Sequence, residues 1–306
     1  MLGRAFSVAK MAAGLAQEVR PAAAEQRPLY LCGRSGPLDE LRAALLAGPA
    51  SDPSAVQLFA LRRLGGDDAQ RLARAAVVVY GGEVLGSLDS PSRQDLEVVG
   101  QSGRPILCLL EALDLPAEAV TEAGRVRGVS PADILAYRRG RFPISKTLPR
   151  LAERTGSSGP WLAHRLPAFR PHVTEALTER AARRNAKLAL AIVVPGADLP
   201  ALTAVQMRLV LQIAACYGRQ LSADRALELM GVLGAGFGLR SVARSMLDFA
   251  PGVGWVVQSG VAYAGTKGLG RAAVEYFEHG AVADASKLRA LAEGVRVEVE
   301  RRVRGR

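Results

Sequence analysis

The segment Gly33-Arg34-Ser35-Gly36-Pro37-Leu38-Asp39-Glu40 follows the short apolar run Leu29–Cys32 and leads into helical spacing over Asp39–Ala47. A glycine turn between a strand and a helix is where a phosphate-binding loop works. Such a loop reads G-x-x-x-x-G-K-[ST]: its glycines let backbone N–H groups wrap the phosphates, its lysine neutralises them, and its hydroxyl holds magnesium. Gly33 fits the first position. Gly36 lies inside the turn, but Leu38 stands at the second glycine position, Asp39 at the lysine and Glu40 at the hydroxyl. A carboxylate about 4 Å from a phosphate, at a surface-like dielectric, is repelled by roughly 4 kcal/mol before screening. Asp39 and Glu40 suit the positive end of the helix dipole themselves. Pro37 removes one N–H donor from the cradle.

The other two nucleotide motifs fail in the same way. A base-reading N-K-x-D would follow the apolar run Ile106–Leu110, where the chain reads Glu111-Ala112-Leu113-Asp114 and only the Asp remains. A D-x-x-G motif would follow Val56–Leu61, where the chain reads Ala60-Leu61-Arg62-Arg63-Leu64-Gly65-Gly66 with no Asp at its start. Asp67 and Asp68 come just after it, and loop and cap chemistry accounts for them. No nucleotide cofactor, metal or catalytic residue is expected. The three cysteines (Cys32, Cys108, Cys216) and three histidines (His164, His172, His279) lie far apart without C-x-x-C, which excludes a zinc framework and a disulfide scaffold. A reducing cytoplasm fits best.

The elements that would position these residues alternate. Leu29–Cys32, Val56–Leu61, Ala76–Tyr80 (ending in Gly81-Gly82) and Ile106–Leu110 read as strands. Asp39–Ala47, Ala69–Ala75 and Pro91–Gly100 read as helices. Ser130-Pro131-Ala132-Asp133 has the order of an N-cap, a proline at N1 and an acidic N3. Alternation of this kind predicts a parallel sheet with helices on both faces. Three regions follow: an amphipathic arm and linker over 1–27, an α/β domain over 28–154, and a helical domain over 160–306. The arm's helix spans 2–18, and Thr155–Pro160 reads as a linker.

Residues 1–150 carry 19 basic and 16 acidic side chains, whereas residues 151–306 carry 21 and 13. The second half thus holds most of the net charge of +11 and is the part to attract an anionic partner. Thr203 and Gln206 form a capping box for a helix through Tyr217, Ser222 caps the next, and a last helix spans 283–303. The basic face Arg180, Arg183, Arg184, Lys187 lacks the interleaved aromatics of a nucleic-acid surface, so no nucleic acid is expected. Phe249–Thr266 runs 18 residues without a charge, the lower edge of a spanning length. Its glycines, Pro251 and Gln258 make it modestly apolar and favour burial in a bundle, with Gly234 and Gly238 at close-contact spacing.

Three stretches carry a resemblance. Leu162-Ala-His-Arg-Leu-Pro-Ala-Phe-Arg170 leads to the basic helix. Pro195–Thr203 is followed by Gln206-Met207-Arg208 and Tyr217-Gly218. Gly234–Arg240 is followed by Pro251–Trp255, Ala262–Thr266 and Tyr276-Phe277. Their order over residues 160–281 resembles the YcjF-like family, domain-of-unknown-function family 697. The resemblance implies that the first half is a GTPase-like α/β domain of the Era type, here without its nucleotide residues, and it supplies no catalytic residue. It also implies an inner-membrane setting for some members. The expectation is a non-catalytic scaffold acting through a protein partner or self-association, with docking to an anionic membrane surface, peripheral to the inner membrane, as an extension. Arg240, Arg244, Trp255, Tyr263, Lys267 and Arg271 bracket or punctuate the apolar stretch and are the expected contacts. A GTP-binding switch with an atypical phosphate loop and a membrane-inserting helical protein are the alternatives.

Overall fold

The computed structural model describes residues 26–33, 36–60, 64–83, 91–111, 123–138, 141–191, 199–219 and 254–279. Two compact units divide the chain, one of Ala24–Val173 and one built from Thr174 onward.

In the first unit five strands form one sheet: β1 (Leu29–Gly33), β2 (Val56–Ala60), β3 (Val77–Glu83), β4 (Ile106–Glu111) and β5 (Ile134–Tyr137). Their order is β2-β1-β3-β4-β5, and every pairing is parallel. Parallel strands need crossovers, and the helices that supply them cover both faces. That is why β1 and β4 read as continuous apolar runs and are buried along almost their whole length. The crossover helices are α1 (Pro37–Leu45), α2 (Asp68–Leu72) and α3 (Pro91–Gln101), and α4 (Ile144–Arg154) follows β5. On one face Tyr30, Cys32, Val78, Tyr80, Ile106, Cys108 and Leu110 pack with Leu72, Leu96, Val99, Val126 and Val129. The alternate residues Leu29, Leu31, Val77, Val79, Leu107 and Leu109 point the other way. They are fully buried, as are Leu38, Leu41 and Leu45 of α1 and Leu151 of α4.

Four expectations are corrected here. Ser130–Asp133 does not begin a helix. It is a single 3-10 turn, Pro131–Asp133, that delivers the chain into β5. The Ser130 side chain makes no cap bond. The Asp133 carboxylate instead accepts from Arg154 Nε at 2.7 Å, which ties the turn to α4. Gly81 and Gly82 do not end β3 but lie within it, paired with Leu109 and Leu110. The stretch Thr155–Pro160 is no exposed linker: Thr155, Ser158, Gly159 and Pro160 are buried at the joint between α4 and α5 (Gly159–Arg165). Thr203 does not cap a helix, because α7 (Leu199–Cys216) already begins four residues earlier.

The second unit is helical throughout its described residues. It contains most of α6 (Arg170–Ala191), α7, and α8 (Gly254–His279). Helix α7 buries Val205, Met207, Leu209, Val210, Leu211, Ile213, Ala214 and Cys216; a helix apolar on nearly all sides must be a core helix. It packs on α8, where the rings of Tyr217 and Phe277 stack with centroids 5.9 Å apart. Residues 254–266 of the uncharged stretch form the first half of α8. No described helix is long and apolar enough to cross a membrane. The expected arm over 2–18, the Ser222 helix, the Gly234–Gly238 spacing and the helix over 283–303 lie outside the described residues.

Candidate functional site

In a doubly wound sheet of this order, ligands bind outside the carboxyl ends of the strands where the winding reverses, between β1 and β3. The glycine turn between β1 and α1 stands at that place. Gly33 ends β1 with φ +116°, and a Cβ there would lie 1.9 Å from the Gly81 carbonyl oxygen. The glycine is needed for this close backbone approach. Gly36 caps α1 in the helical region without a side-chain bond, and Pro37 opens the helix. Leu38 turns inward and is fully buried, whereas Asp39 and Glu40 are exposed on the first turn. Arg34 and Ser35 lie outside the described residues.

Beyond β2, Leu64 and Gly65 are held by two buried carboxylates. Asp95 of α3 accepts from the Leu64 N–H at 2.9 Å, and Asp68 of α2 accepts from the Gly65 N–H at 2.9 Å. Asp68 therefore has a structural role, closing the turn that starts its own helix, and Asp67 stays exposed. Nothing in the sequence pattern marked Asp95, which sits on the buried side of α3 only because that helix packs on the sheet. Between β1 and β4, Tyr80 lies over Gly82, where a Cβ would come within 2.7 Å of the ring. Cys32 and Cys108 flank Tyr80 in the same register row, and burial pushes both thiols well above their ordinary range. They are core groups, not nucleophiles. Glu111 ends β4 opposite Glu83 and Tyr137; Asp114 lies outside the described residues.

The expected contact residues of the helical unit divide. Lys267 Nζ meets Glu179 Oε2 at 3.1 Å and also pairs with Glu175. Tyr263 donates to Glu179 Oε2 at 2.7 Å. Burial would raise the Glu179 pKa, but hydrogen bonds from Tyr263, Arg183 and Lys267, with the Lys267 charge, outweigh it and hold the carboxyl at about 2. Burial likewise opposes the Lys267 charge, and its two carboxylates win, holding its pKa above the ordinary value. Lys267 and Tyr263 thus join α8 to α6 instead of reaching outward. Further along the same seam, Asn185 Nδ2 donates to Thr266 Oγ1 at 2.8 Å. Gly270 lets Thr178 approach so closely that a Cβ would lie 2.5 Å from its methyl and hydroxyl. Arg271 is exposed. Arg240, Arg244 and the Trp255 side chain lie outside the described residues.

Arg180, Arg183, Arg184 and Lys187 are exposed on one side of α6, with Leu190 nearly half exposed beyond them. Glu179 reaches this side only to receive Arg183 Nε at 2.6 Å. The sequence expectation of no metal site meets one gathering among the described residues: Glu275, Glu278 and His279, whose potential ligand atoms lie within 4.8 Å of one another at the end of α8. Helical spacing at i, i+3 and i+4 brings them together, and His279 Nδ1 stands 3.4 Å from Glu275.

No curated protein and no solved structure matches the chain. The resemblance carried by the short motifs has a counterpart, because residues 162–300 match the model of a family described as a domain of unknown function (DUF697).

Proposed function

We propose that this is a non-catalytic interaction protein, in which a GTPase-type α/β domain without a working nucleotide site is joined to a basic helical domain that meets a partner. The N-terminus of α1 carries this reading. A nucleotide-binding helix offers N–H groups, a lysine and a hydroxyl to phosphate. This one buries Leu38 and exposes Asp39 and Glu40, so carboxylates occupy the positive end of the dipole. Leu64 and Gly65, in the region that in a switch must move with the γ-phosphate, are held here by Asp95 and Asp68. Calorimetry of the full chain with GTP and GDP plus magnesium tests the reading. No heat of binding is expected, and saturable micromolar binding of either nucleotide overturns it in favour of an atypical switch.

The partner surface under this reading is the exposed side of α6, where four cations stand without an acid between Arg180 and Ala191. A protein partner, a second copy and an anionic lipid surface all fit that charge, at roughly 1 kcal/mol per basic residue for the lipid. Flotation with anionic and neutral liposomes separates lipid from protein. Protein that remains at the bottom of both gradients removes the membrane.

A further inference from the structure

Asn185 of α6 is fully buried in the helical unit, where an amide lowers stability unless both its ends are bonded. Its Nδ2 donates to Thr266 Oγ1 of α8 at 2.8 Å and stands 3.5 Å from the Leu202 carbonyl oxygen of α7. Its Oδ1 has no partner among the described residues. Turning the amide over does not help. Thr266 already donates its one hydroxyl proton to the Ala262 carbonyl oxygen at 2.8 Å, so its oxygen can face only a donor. The amide is thus half satisfied. Apolar residues of the same shape in place of both partners would hold the helices together about as well, so stability does not account for Asn185.

The rest of the seam leaves it a task. Glu175 pairs with Lys267, and Glu179 meets Lys267 and Tyr263, so α6 and α8 run antiparallel here. Tyr263, Lys267 and Arg271 recur every four residues along α8, one above another on one face. Sliding α8 by one turn, about 5.4 Å, brings Arg271 to Glu175, and Lys267 with Arg271 to Glu179. The ion pairs therefore do not choose between the two alignments. The approach of Thr178 to Gly270 opposes the slide, because Val274 would take the glycine's place. The atoms it would meet first are the methyl and hydroxyl ends of Thr178, which can turn aside. Asn185 has no such escape: the slide sets Gly270 against its amide in place of Thr266, and both ends are then unpaired in the core. We infer that Asn185 is a register lock, which through Thr266 admits one alignment of α8 on α6 at a cost in stability. The lock stands independently of the partner surface proposed above.

The test measures register and stability separately in the full chain. Spin labels go on Arg184→Cys of α6 and Glu278→Cys of α8, both exposed positions, while the three native cysteines are buried. Pulsed electron resonance should give one distance between the labels when Asn185 and Thr266 are both present. In Asn185→Leu/Thr266→Val a second distance should appear, displaced by about 5 Å, the height of one helical turn. Amide exchange of α8 in that variant should stay within about threefold of the native rate, because both polar partners leave together. Thr266→Val alone strands the Asn185 amide and should speed α8 exchange roughly tenfold. A single distance in Asn185→Leu/Thr266→Val overturns the inference. Exchange in that variant as fast as in Thr266→Val overturns it as well, because the contact would then be an ordinary stabilising bond.

Discussion

Replacing Lys267 by Met should loosen the seam between α6 and α8 by an amount the geometry bounds. The Lys267 side chain is 14% exposed, against 27% for Glu179 and 58% for Glu175. The Glu175 pair is open to water and contributes at most about 0.5 kcal/mol. The Glu179 pair is half-shielded. Unit charges at about 4 Å and an effective dielectric near 20 attract by about 4 kcal/mol, and desolvation of the ammonium cancels much of that. Methionine keeps the apolar stem, so little packing is lost. The net cost is about 1–2 kcal/mol. Because the chain has two units, a single melting temperature mixes them. Amide hydrogen exchange of α8 peptides reads the helical unit alone. An opening free energy lowered by 1.4 kcal/mol is a tenfold faster exchange, so roughly 5- to 30-fold is expected. Glu179→Gln should cost a similar amount, and in the double variant the two effects should fall short of their sum by about 1 kcal/mol. Strictly additive effects, or an unchanged α8 in Lys267→Met, would refute the claim that this pair holds the helices together.

The same pair sets a pH dependence. Glu179 has its folded pKa depressed to about 2 from 4.5, so its contribution is complete above about 4.5 and fades as pH falls toward 2. Lys267 is raised above its ordinary 10.5, so its contribution is complete below that value and is lost as pH climbs through the raised pKa. Exchange from α8 should therefore be slowest between about pH 5 and 10 once corrected for intrinsic rates, and the acid limb should flatten in Glu179→Gln; an acid limb of equal slope in that variant would contradict the assignment. Gly33→Ala should destabilise the first unit by several kcal/mol, roughly 3 or more, since it adds a forbidden φ to a Cβ–carbonyl collision. Chemical denaturation checks this, and a loss below about 1 kcal/mol would mean that β1 relaxes away from Gly81.

Much of the α/β unit was legible because each crossover segment keeps its own period. Leu29–Cys32, Ala76–Tyr80 and Ile106–Leu110 are apolar runs too short for helices and bounded by glycine or proline, and each became a strand. β5 was missed because four residues give almost no period, and the Ser-Pro-Ala-Asp before it mimics a helix start. Its strand state comes from pairing with β4, a partner more than twenty residues away in the chain. Thr203 misled for a related reason: a capping box is a local option, and α7 is held further back along the chain by burial of its apolar sides.

That the turn after Leu29–Cys32 carries no lysine or hydroxyl of a phosphate cradle was written in the sequence. Leu38, Asp39 and Glu40 are the wrong residue types for a cradle in any fold, because charge and hydrogen-bonding capacity belong to the side chain itself. What those residues do instead was decided by tertiary structure. Leu38 is core because α1 lies on a sheet. Asp68 and Asp95 hold Gly65 and Leu64 because α2 and α3 bring them there. Lys267, which the sequence offers as a free cation beside an apolar stretch, became an internal tie because α6 presents two carboxylates to it. Residue type limits the chemistry, and contacts between segments distant in the chain select which part of it is used.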